Sequence, residues 1–178
     1  YQDKITLLLG NHDIHYIWAK EAGVSTRFSI KNAMEYMCYF YEHKSCFQVA
    51  HTEIINAKIH LFTHAGINSK WLSHNNLKLD IFRILQTLNS LSQTSEGRTI
   101  LSQIGAVRGG KSPAGGPFWS DFAYELNSGN QKIDALIYQV VGHTHSTNTN
   151  RIGRYAACLD CERAFVLDKN TGKIKVWK

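Results

Sequence analysis

Ile59-His60-Leu61-Phe62-Thr63-His64-Ala65-Gly66 is an apolar run that stops at a histidine and a glycine, and the chain uses this arrangement three times. Residues 5–9 lead into Gly10-Asn11-His12-Asp13, and residues 135–141 lead into Gly142-His143-Thr144-His145. A buried strand that ends in a Gly/His/Asn cluster delivers its side chains to one edge of a sheet, where clefts form. Neutral imidazole nitrogens and an Asn carbonyl suit zinc, iron or manganese. A lone histidine on an apolar strand is more often structural. Three such tips in one domain point instead to a metal-centred hydrolytic site.

Working outward, the chain alternates strand and helix signals. Residues 4–9 read as a buried strand. Residues 13–21 read as a short helix, with Asp13 at its positive end and Gly23 as its stop. Ser29 is suited to cap a helix reaching His43, with Met34, Met37, Cys38 and Tyr41 on one face as core packing. Residues 49–55, a turn at Asn56-Ala57 and residues 58–63 form a hairpin that launches His64. The spacing Ile81, Ile84, Leu85, Leu88, Leu91 predicts a helix between Lys78 and Leu91, and a second is expected over 96–107. Residues 108–117 hold four glycines and two prolines and must form a loop, with Arg108-Gly109-Gly110-Lys111 as a candidate anion-binding stretch. Residues 154–160 and 163–168 read as strands, the latter closing on 174–177 as a hairpin with a glycine turn. No repeat, low-complexity stretch or domain boundary interrupts residues 1–178, which read as one α/β domain.

The motifs Gly10-Asn11-His12-Asp13, His64 and Gly142-His143-Thr144-His145, in this order, resemble the second half of the calcineurin-like metallophosphoesterase signature. The lead-in Tyr1-Gln2-Asp3-Lys4-Ile5-Thr6-Leu7-Leu8-Leu9 is similar to that of the phosphoprotein-phosphatase branch. Thr63-His64-Ala65-Gly66-Ile67 with Trp71 resembles bacterial members, including the diadenosine tetraphosphate hydrolases. Trp119-Ser120-Asp121 resembles a short motif of the same branch, so the likeness runs from Tyr1 to about Asp168. It implies a two-sheet β-sandwich flanked by helices.

The family's opening Asp-x-His and Gly-Asp-x-x-Asp-Arg-Gly segments do not occur here, and only nine residues precede Gly10. By resemblance those segments supply two central strands, most ligands of one metal, a bridging carboxylate and a phosphate-clamping arginine. The expectation is that residues 1–178 are the C-terminal portion of a longer metallophosphoesterase domain whose N-terminal segment completes the site. On its own this portion is expected to be inactive or weak and to expose a sheet edge.

The resemblance implies two divalent metal ions (manganese, iron or zinc). Asn11, His64 and His143 would ligate one, and His145 would reach toward the other. The phosphoprotein-phosphatase branch usually lacks a counterpart of His145, so the sequence mixes two patterns. His12 would be the catalytic residue, donating a proton to the leaving oxygen, and Arg108 would bind substrate. Asp121 would hold the site's architecture through hydrogen bonds. The implied enzyme is a hydrolase of phosphate esters, acting on a phosphoprotein or a nucleotide through a metal-activated water. The alternatives are a phosphodiesterase or nuclease on the same fold and a non-catalytic metallophosphoesterase-like scaffold.

Composition sets the bounds. The net charge is +6, with 20 basic against 14 acidic residues, and 43% of residues are hydrophobic. A basic surface favours anionic partners, but no basic run is interleaved with aromatics as a nucleic-acid groove requires. No apolar run approaches the ~18 residues of a membrane helix, and no signal peptide is visible. The single Cys158-Leu159-Asp160-Cys161 lacks a partner pair for a structural zinc site, and all four cysteines read as packed free thiols of a cytoplasmic protein. His15, His43, His51, His60 and His74 read as surface or packing residues, and Lys169, Lys173, Lys175 and Lys178 as a solvated hairpin face.

Overall fold

The computed structural model describes residues 5–23, 27–127, 133, 135–148 and 151–177; residues 1–4 of the N-terminal lead-in and Lys178 lie outside them. Its elements are mixed α/β. β1 (Leu7–Leu8), α1 (Ile14–Ile17), α2 (Ala19–Ala22) and α3 (Ala33–Glu42) come first. β2 (Phe47–Gln48), β3 (Ala50–Ile55) and β4 (Lys58–Thr63) precede α4 (Ser69–His74), α5 (Ile84–Leu91) and α6 (Ser95–Leu101). β5 (Ile137–Val141), β6 (Ala156–Cys158), β7 (Phe165–Leu167) and β8 (Ile174–Val176) close the chain. Among the described residues no helix is long and apolar enough to cross a membrane.

The central sheet has the order β3-β4-β5-β6. β3 and β4 are the antiparallel hairpin expected from the sequence. Its two turn residues, Asn56 (φ 50°) and Ala57 (φ 58°), are both left-handed, as a tight two-residue loop matched to strand twist demands. β5 then lies parallel to β4, with Ile59 opposite Ile137 and Phe62 opposite Val140, and β6 lies parallel to β5. β1 pairs with β2, and β7 with β8, as separate two-stranded sheets. The C-terminal hairpin is therefore as expected.

Helices cover the central sheet through one apolar cluster built on Leu61, Ile67, Trp71, Leu88, Leu101 and Phe118. Trp71 is fully buried, and α4 is started by Asn68, whose Oδ1 accepts from Trp71 N at 3.0 Å while its Nδ2 donates to Gly115 O at 3.2 Å. The Gly/Pro loop is thereby locked against α4. Asn89 on α5 does the same for β3: its Oδ1 accepts from Val49 N and Ala50 N, and its Nδ2 donates to Ala50 O.

Several expectations are corrected. The strand expected over 4–9 is only Leu7–Leu8, and Leu7 (41% exposed) and Ile5 (64%) face solvent. The helix over 13–21 breaks at Trp18, whose φ −126°, ψ 44° lies outside the helical region. Ser29 makes no side-chain cap. The Met34, Met37, Cys38, Tyr41 face of α3 is exposed, since α3 buries no residue; periodicity shows that a face is apolar, not what covers it. The helix expected between 78 and 91 starts only at Ile84, and that expected over 96–107 ends at Leu101. Cys38 and Cys46 are exposed, while Cys158 and Cys161 are buried free thiols.

The segment after β4 is held to β5 by one side chain. Gln139 is buried, accepts from Ile67 N at 2.8 Å and donates to Ile67 O at 2.9 Å. Gly66 between His64 and Ile67 has φ +96°, and a Cβ there would lie 2.4 Å from Leu126. Replacing the amide by an isosteric apolar group would leave both Ile67 backbone groups buried without partners. Gln139→Leu is expected to lose about 1–3 kcal/mol of stability, read as a lower urea midpoint.

Candidate metal and anion site

The three tips meet. Gly142 N donates to His64 O at 2.8 Å, extending the β4–β5 pairing past the strand ends and setting the two histidine segments side by side. The first tip arrives over them. Asp13 Oδ2 accepts from Gly10 N at 2.7 Å and closes the turn, while Gly10 lies so near that a Cβ would sit 3.2 Å from the His64 ring. A side chain there would press on the His64 ring, which would have to give by a few tenths of an ångström.

At the meeting point, His64 Nε2 is 2.8 Å from Asn11 Oδ1 and 3.1 Å from His143 Nδ1. These residues lie 53 and 79 positions apart along the chain. Ligand atoms about 2.1 Å from a common cation at right angles would be about 3 Å from one another, so both spacings fit a shared ion. Among the described residues no three His, Cys, Asp or Glu side chains are grouped so as to hold a metal ion; the trio here is two imidazoles and an amide. His143 reaches it through a left-handed backbone, φ +64°, a strained conformation for a non-glycine residue.

Charge supports neutral imidazoles here. Burial pulls the His64 pKa down to about 4, with Asp160 opposing. Burial, then His64, Arg108 and His12, pull His143 down to about 3. Both rings therefore keep lone pairs free at neutral pH, which a metal ligand needs. His143 Nε2 is buried without a partner among the described residues, so the usual outer hydrogen bond of a ligating histidine is not made there.

Around the trio lies an open cleft of about 550 Å³ whose walls include His12, Arg27, Arg108, Trp119, His145 and Asp160. His12 is exposed at the rim, with its pKa lowered by partial burial, then by Arg27 and His15, and raised by Asp13. Arg108 does not swing on its glycine-rich loop. Its Nη2 donates to Thr144 Oγ1 at 2.7 Å and pairs with Asp121 Oδ2 at 2.9 Å. Asp121 Oδ1 meanwhile accepts from Ala123 N and Tyr124 N, opening the π-helical turn Phe122–Leu126. The architectural role expected of Asp121 is therefore visible in its bonds. His145 is exposed, and its Nδ1 faces Asp160 Oδ1 at 3.4 Å.

The site residues expected from sequence thus fall into one cleft, with Asn11, His64 and His143 at its centre and His12, His145 and Arg108 on its walls. Asp160 and Arg27 were missed. Asp160 sits in the Cys158–Cys161 spacing, which drew attention to sulfur. Yet it directly follows a short apolar strand, the same signal that marked the other tips, and β6 beside β5 brings it there. Arg27 carries no comparable signal.

No protein-family model and no curated protein matches the chain.

The depressed histidines set a pH dependence. In the unfolded chain they protonate near 6.5, whereas folded they resist until about 4 and about 3. Protons thus favour the unfolded chain in that window. The contribution of these two histidines is full above pH 6.5 and is lost as pH drops from 6.5 toward about 3. Urea midpoints in chelator should show this decline, and it should be shallower in the double variant His64→Gln/His143→Gln.

Proposed function

We propose that this chain carries the metal-binding edge of a phosphoesterase of the calcineurin-like kind, a two-sheet sandwich in which the β3–β6 sheet forms one layer. The observation that supports it is the convergence of Asn11 Oδ1, His64 Nε2 and His143 Nδ1 from three strand tips. Those residues would hold one divalent ion (manganese, iron or zinc), and His145 with Asp160 would contribute to a second. Bound there, the ions supply an activated water and neutralise phosphate charge.

The chain's own groups complete the chemistry. Arg27 and Arg108 give the cleft fixed positive charge, and Asp121 with Thr144 prevents the Arg108 guanidinium from collapsing onto the metal ligands. A phosphate ester would therefore be drawn in and oriented. His12, at the rim and solvent-accessible, would donate a proton to the departing oxygen. The substrate class is a phosphate ester, of a phosphoprotein or a nucleotide. A scaffold that binds without catalysis is the reading favoured by one observation: Asp160 is the sole carboxylate lining the cleft among the described residues.

Calorimetric titration of manganese or zinc into the 178-residue chain should show saturable binding. Asn11→Ala and His143→Ala should each weaken it tenfold or more; a chain that binds neither ion would end the reading. The metal-loaded native protein should hydrolyse p-nitrophenyl phosphate or its bis ester, the preference separating monoesterase from diesterase. Metal binding without turnover on either would support the scaffold. His12→Asn should lower turnover on esters with poor leaving groups by ~10²–10⁴-fold with metal content unchanged.

A further inference from the structure

A second cleft opens at the other end of the central sheet. β4 and β5 run in the same direction, and their C-terminal ends build the site described above. Their beginnings, with the Asn56 turn, β8 and the segment before β6, enclose a space of about 440 Å³. That volume lies within the range of small-molecule sites. Its lining includes Lys58, Arg154, Lys173 and Lys175, and among the described residues no Asp or Glu. All four cations are exposed, and they come from three separate parts of the chain. Nearby carboxylates are engaged elsewhere. Glu53 pairs with Lys169 and His51, and Asp168 Oδ1 accepts from Asn170 N and Thr171 N. Asp168 also feels Lys175, so that lysine is the least free of the four.

The floor of this cleft is polar where a core would be apolar. His60 is 4% exposed, and its Nδ1 is buried without a hydrogen-bond partner among the described residues. Its ring lies 5.4 Å from that of Tyr138, its neighbour across the β4–β5 pair, and its Nε2 edge faces Gly172 of the β7–β8 turn. Burial is the largest influence lowering the His60 pKa, and a hydrogen bond with the Lys58 backbone opposes it. Four cations in one space repel one another, and an anionic ligand relieves that cost.

We propose that this cleft is a second binding site, separate from the His64–His143 centre, for a small anion carrying two or more phosphoryl groups. Lys58, Arg154 and Lys173, brought together from three separate parts of the chain, supply the positive charge that meets it. The site does not depend on the phosphoesterase reading, since none of its residues belongs to the other cleft.

Inorganic pyrophosphate is the probe. Titrated into the metal-free 178-residue chain, it should give saturable shifts of the Gly172 and Lys173 backbone amides. The Lys58→Gln/Arg154→Gln variant, altered only at exposed positions, should weaken binding tenfold or more. Arg108→Gln should leave those shifts in place. The proposal fails if the amides shift only linearly, as with an equal concentration of sulfate, or if the double variant binds as tightly. It fails equally if Arg108→Gln abolishes the shifts, because the anion would then occupy the first cleft.

Discussion

The hydrogen bond from Gly142 N to His64 O decides what this sheet can do. It continues the parallel β4–β5 register two residues beyond Phe62 and Val140, so that His64 and Gly142 stand level. Side chains of level residues share a face, and the next residue along an extended strand points to the other one. His143 would therefore face away from His64 if the strand simply continued. The left-handed turn at His143 reverses that, at a typical cost of about 1–2 kcal/mol for a residue with a Cβ. The strain is located where two imidazole nitrogens are brought within 3.1 Å. In that position the His143 ring also packs edge-on against Trp119, with ring centroids 5.5 Å apart.

Much of this was legible in the sequence because strand tips advertise themselves. An apolar run fixes a strand, and a Gly/His/Asn cluster marks where it stops. Three such stops imply one edge if the strands are neighbours. The β3–β4 hairpin and the β7–β8 hairpin were legible for the same reason, since their turns require particular residues. Asp160 was hidden because its strand, Ala156–Cys158, is three residues long and its flanking cysteines suggested another chemistry.

Burial was the poorly legible quantity. Periodicity correctly made α3 a helix with an apolar face, yet Met34 is 79% and Tyr41 74% exposed. A pattern records which side of an element avoids water, and the neighbour that excludes the water is encoded elsewhere. The same holds for β1, where Leu7 is exposed and Leu9 is buried on a segment that reads as uniformly apolar. Helix starts were misjudged for a local reason. Asn68, Thr94 and Asp121 act as caps because each precedes backbone amides it can reach, whereas Ser29 makes no side-chain cap and Asp13 turns its carboxylate back to Gly10 N.

Under the phosphoesterase reading, the protonation of His12 is the least obvious step, and its electrostatics suggest how it is met. Partial burial and the positive charge of Arg27 push its pKa below the ordinary 6.5, and Asp13 only partly compensates. At neutral pH the ring is then mostly unprotonated, which is the wrong state for a proton donor. A carboxylate from outside this chain would correct that. So would the substrate itself: a phosphate drawn in beside Arg27 places negative charge near His12 and offsets the positive charge that, after burial, lowers its pKa. Arg27, which helps attract the anion, would thus help hold the acid uncharged until the anion arrives. Proton donation would then be tied to substrate occupancy, with no moving part beyond the charge that the substrate brings.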